Sequence, residues 1–163
     1  MQYGIYIPRH RWEPVEEVRL ADEEDVRDVL YGDPLTIPIG ELSLSMIVEG
    51  IVPGRRRWLN FRAARLAWFL AGGVIVPIYG AAILVSDDVQ SERVPEPLRR
   101  RLLGLDGPFR IHLGLQDEES WFGQGHIQLD YFEAIEEAMD LHRDSMGTIE
   151  HIHIARADEV LLW

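Results

Sequence analysis

The chain has no cysteine and no lysine among its 163 residues. The first absence removes disulfide frameworks, thiol nucleophiles, zinc fingers and iron–sulfur sites. The second removes Schiff-base chemistry and the phosphate-gripping lysine of a P-loop. All 16 basic residues are therefore arginine, set against 28 acids for a formal charge of -12. The sequence also lacks a G-x-S-x-G elbow, an H-E-x-x-H helix, a G-x-x-x-x-G-K loop and a dinucleotide glycine fingerprint. A binding protein is expected rather than an enzyme. The opening MQYGIYIPRHRW has no charged segment leading into a long apolar one, so no secretory signal is read and a cytoplasmic place in a bacterial host is expected.

One long uncharged run is present, residues 66–86, with arginines before it and Asp87 and Asp88 after it. Its length suits a membrane span. Gly72 and Gly73 stop a helix, however, and the β-branched residues beyond Pro77 suit a buried strand. A helix followed by a strand is expected, with no membrane.

Tyr3, Ile5 and Ile7 alternate as a first strand, and residues 15–20 read as a second. Asp22 caps a short helix carrying Val26, Val29 and Leu30, which Gly32 ends. Residues 35–39 form a strand. Leu42, Leu44, Met46 and Val48 alternate with Ser43 and Ser45, the pattern of a half-buried strand, which ends at the Glu49-Gly50 turn. Asn60 caps a helix through Leu70. Residues 78–85 form a central strand, and Pro95 or Pro97 opens a small helix ending near Gly104. Further on come a strand at Phe109, Ile111, Leu113 and Leu115, a loop over 116–125, a short strand over 126–129, a helix over 131–143, and strands over 149–154 and 160–162. The fold class is α+β, with a mixed or antiparallel sheet and two to four short helices. Residues 1–104 form a small α+β domain and 105–163 an acidic β-α-β extension, two lobes sharing one core. Residues 1–100 hold 12 arginines against 15 acids, and residues 101–163 hold 4 against 13, so the acidity gathers in the last third.

Within residues 14–104, the segment Leu59-Asn60-Phe61-Arg62-Ala63-Ala64 and the strand from Tyr79 and Gly80 to Asp87 and Asp88 resemble a family of small proteins carried by phages and plasmids. Its members share an Asn-Arg-Ala helix start and a Gly-x-Ala strand ending in paired aspartates. Phe61 interrupts the first motif, the usual Gly-Gly after the first helix is missing, and the acidic extension is additional. The resemblance implies a small α+β domain in a mobile-element setting, and it carries no catalytic residues over.

Three surfaces carry candidate chemistry. On the helix after Asp130, Phe132, Ile135, Met139 and His142 share one face, and Glu133, Glu136, Glu137, Asp140 and Asp144 lie opposite. The row runs roughly 16 Å at 1.5 Å per residue. That matches several phosphates along a duplex and suits docking on a basic surface of a host protein. It is also the pattern of an ordinary solvated helix face. Trp121 and Phe122 in the neighbouring loop would anchor such an interface or fold back over the core. The expected function is an anti-defence or regulatory inhibitor that acts through this acidic surface, without direct nucleic-acid contact and with a homo-oligomer left open.

A second surface is the run Arg55-Arg56-Arg57-Trp58, with Arg62 and Arg65 after it. Arginine forks beside an aromatic suit a small signalling nucleotide, and equally suit pairing with the protein's own acids; Arg55, Arg57, Trp58 and Arg62 are its candidate residues. The third is His151 and His153, two apart on a strand and so on one side of it. With His126 on a neighbouring strand they would hold a divalent metal for hydrolysis; without it they are a solvent-facing polar pair. No other cofactor is expected.

Overall fold

The computed structural model describes residues 1–40, 42–50, 58–88, 90–115, 121–145 and 149–159. The expected strand over 160–162 lies outside them. The chain divides into two compact units, Met1–Leu103 and Gly104–Trp163. The class is α+β, with four helices and two antiparallel sheets among the described residues.

The first unit contains β1 (Gln2–Ile7), β2 (Glu16–Leu20), α1 (Glu23–Leu30), β3 (Pro34–Pro38), β4 (Leu44–Glu49), α2 (Phe61–Leu70), β5 (Ala82–Ser86) and α3 (Glu96–Leu102). Its strands lie in the order β2-β1-β5-β4-β3, every neighbour antiparallel. As the middle strand, β5 is buried at all five positions. On one side Ile83 and Val85 form a cluster with Leu20 and with Val26 and Leu30 of α1. On the other, Leu84 is opposite both Ile5 and Met46. Those three side chains are buried, as are Ala63, Leu66 and Ala67 of α2. The edge strand β3 begins and ends on proline, which suits a position where an unpaired N–H would otherwise face outward.

Several local expectations change here. Ser45 is buried, because β4 sits inside the sheet and this position shares the Val85 side; its hydroxyl donates to Asp87 Oδ2 at 2.7 Å. The middle strand begins at Ala82 rather than at residue 78. Ile78 and Gly80 are instead engaged by the segment before α2, through Asn60 N to Ile78 O at 2.8 Å and Gly80 N to Trp58 O at 3.1 Å. Gly80 makes that turn with φ of +74°, a conformation open to glycine at little cost. The long uncharged run is thus split between α2 and β5, and among the described residues no helix is long and apolar enough to cross a membrane.

The second unit contains β6 (Phe109–Leu115), β7 (Trp121–Gln128), α4 (Tyr131–Asp144) and β8 (Ile149–Arg156). Its sheet has the order β7-β6-β8, again antiparallel. The alternation of Phe109, Ile111 and Leu113 turns those residues to one side, and all three are buried. The Phe109 and Tyr131 rings lie 5.2 Å apart, so this side faces α4. The expected loop over 116–125 is corrected in its second half. Trp121 onward is strand, paired with Gly114 and Leu113, because ladder bonds to β6 hold a glycine-rich segment that shows no alternation of its own.

Candidate functional site

The carboxylates of α4 are not an open row. Glu137 turns toward β7, where Gln128 Nε2 donates to Oε2 and His126 Nδ1 lies 3.2 Å from Oε1. Arg143 takes Asp140 at 3.0 Å and Asp144 at 3.4 Å. Glu133 is exposed and Glu136 half-buried, and both have partners of their own. Trp121 and Phe122 enter β7 opposite Gly114 and Leu113.

The three histidines of the expected metal site are not brought together. His126 bonds to Glu137 of α4 and so lies on the α4 side of the small sheet. His151 and His153 sit opposite Gly114 and His112, the alternate positions of β6 that face away from α4. The central strand β6 separates β7 from β8. Among the described residues no three metal-ligating side chains converge.

The arginine surface is only partly described, since Arg55 and Arg57 lie outside the described residues. Trp58 and Arg62 do belong to one constellation. Asn60 caps α2, its Oδ1 accepting from Ala63 N at 3.1 Å, while its Nδ2 donates to Ile7 O at 3.0 Å and Gly80 O at 2.9 Å. The amide is wholly buried and pins the end of β1, the start of α2 and the Gly80 turn to one point. Arg62, in the first turn of α2, donates from Nη1 to Glu13 O at 2.9 Å. That bond draws the loop after β1 against the helix. In the loop, the His10 and Trp12 rings stack at 4.5 Å with 18° between planes, and Arg9 bonds to the His10 ring.

Aromatic surface gathers around this junction. Trp12 is 77% exposed, Trp58 61%, Phe61 59% and Tyr79 42%. The Arg65 guanidinium stands 5.6 Å above the Phe61 ring, the i,i+4 neighbour on α2. Arg9, Arg11, Arg62 and Arg65 all belong to these two segments, against Glu13 and Glu16 nearby in the chain. Sequence reading finds Trp58, Arg62 and Arg65 but misses Arg9, His10, Trp12 and Phe61. The only local signal for the loop is its density of arginine and aromatic residues; nothing in it shows that it meets α2.

An open depression of roughly 550 Å³ lies elsewhere in this unit, between the start of α1 and the sheet, lined by Leu20, Val26 and Ile47 with Asp22 and Glu23. Its carboxylates disfavour a phosphate-bearing ligand. No protein-family profile matches the chain, and no curated protein or solved structure is significantly similar to it.

Proposed function

We propose that the protein acts by stoichiometric capture of a small nucleotide at the aromatic and arginine-rich end of its first unit. The observation that carries this reading is the Arg62–Glu13 bond. It joins two sequence segments that each pair arginines with exposed aromatics, in a chain whose net charge is strongly negative. An indole face offers stacking for a base, worth about 1–3 kcal/mol per base in single-strand binders. Guanidinium forks match phosphate oxygens two at a time. Asn60 and Arg62 hold the two segments in place, while Trp12, Trp58 and Arg65 present the ligand-facing groups. The mobile-element setting remains part of the proposal and rests on the residues quoted within 14–104. Inhibition through the α4 carboxylates has less support, because Glu137, Asp140 and Asp144 are engaged within the second unit.

The test is thermal unfolding of the full chain across a panel of mono-, di- and cyclic nucleotides, with tryptophan fluorescence followed in parallel. A ligand should raise Tm in proportion to the logarithm of its concentration over Kd and quench emission. Trp58→Ala and Arg65→Ala should each remove both effects. A panel without any shift, or a shift that both variants retain, overturns the reading.

A further inference from the structure

The side of the small sheet facing away from α4 brings together histidines that the sequence keeps forty residues apart. His112 of β6 is directly opposite His153 of β8, and the next position along that side, Gly114, is opposite His151. We infer that His112 and His153 form a two-imidazole site for a divalent transition metal, distinct from the nucleotide surface of the first unit.

Directly opposed residues on antiparallel strands have Cβ atoms about 4.5–5.5 Å apart. Two ring nitrogens on one tetrahedral ion, each about 2.0–2.1 Å from it, are roughly 3.3 Å apart. Rotation about the side-chain bonds spans that difference without moving the backbone. Imidazole ligands and a chain without thiolates select copper, nickel or zinc over magnesium or calcium. Two protein ligands leave the remaining positions to water, consistent with the lack of any converging trio of ligands among the described residues. Among the described residues, Arg110, two residues along β6, opposes a cation on this side, and Glu150, 3.9 Å from His151, favours one. Their opposition predicts a modest affinity.

The experiment uses the full-length, untagged, metal-stripped protein, titrated with Ni²⁺ and with Cu²⁺ by calorimetry and followed by thermal unfolding. One ion per chain and a metal-dependent rise in Tm are expected. His153→Ala, at an exposed position, should abolish both, and His112→Gln should do the same, with metal-free Tm confirming that each variant folds. His126→Ala should leave uptake unchanged. Absence of uptake, uptake that survives His153→Ala, or uptake lost with His126 overturns the inference. The nucleotide panel reads the other unit, so failure of either proposal is visible without the other.

Discussion

The side-chain amide of Asn60 donates to the backbone carbonyl of Ile7 at 3.0 Å across 53 residues of sequence. The same residue caps α2 and holds Gly80 O, so one buried side chain joins three segments that support the aromatic end of the first unit. Loss of a cap alone costs roughly 0.5–2 kcal/mol, and each buried carbonyl left without its donor adds about 1–3 kcal/mol. Asn60→Ala should therefore destabilise by at least about 2 kcal/mol in urea unfolding. Asn60→Asp is the sharper probe. It keeps a capping oxygen but points a second acceptor at two carbonyls, so it should also destabilise, although aspartate is as good a cap as asparagine on an isolated helix.

Glu17 of β2 receives a two-pronged bond from Arg99 of α3, Nε to Oε1 at 2.6 Å and Nη2 to Oε2 at 3.2 Å. Chiefly through this hydrogen bond, Arg99 holds the carboxyl below its ordinary value of 4.5. A folded pKa below the unfolded one means that the stabilisation is complete above the ordinary carboxylate range and is lost as pH falls through the folded value. Glu17→Gln should lower Tm at pH 7, by an amount that stays level down to about pH 5 and shrinks below about pH 4. Tm measured against pH for both proteins checks this, and a gap that persists unchanged into acid would contradict it.

Gly4 lies on the same side of the first sheet as Ile83 and Val85, where a Cβ would come 2.3 Å from Ile83 Cγ2 and 3.2 Å from Val85 Cγ1. Gly4→Ala should cost about 1–3 kcal/mol through overpacking. Combining it with Ile83→Ala, which removes the clashing methyl, should cost less than the two single changes added together. Chemical denaturation of the four proteins gives the coupling directly.

Glu137 and Asp144 were equal members of the acidic row in sequence, yet only Glu137 bonds to β7, through Gln128 and His126. Glu137→Ala should destabilise by about 1–2 kcal/mol, since Gln128 then loses a charged acceptor. Asp144→Ala, at an exposed position paired only with Arg143 among the bonds described, should stay within about 0.5 kcal/mol. Equal effects in urea unfolding would show that Glu137 does not act as a tether.

The sequence by itself determined the local elements. The caps at Asp22 and Asn60 are made as read, each side chain accepting from backbone N–H groups two or three residues ahead, because such bonds require only neighbours in the chain. Strand β1 and the buried side of β6 follow their alternation for the same reason: the period of two fixes which residues share a side. What the sequence left open was which sides and segments meet. The burial of Ser45, the turn of Glu137 toward β7, the separation of His126 from His151 and the pairing of His112 with His153 all depend on strand order, which no local pattern encodes. The junction of the Trp12 loop with α2 is of the same kind. A guanidinium and a carbonyl 49 residues apart find each other only once burial of the sheet has brought their segments together.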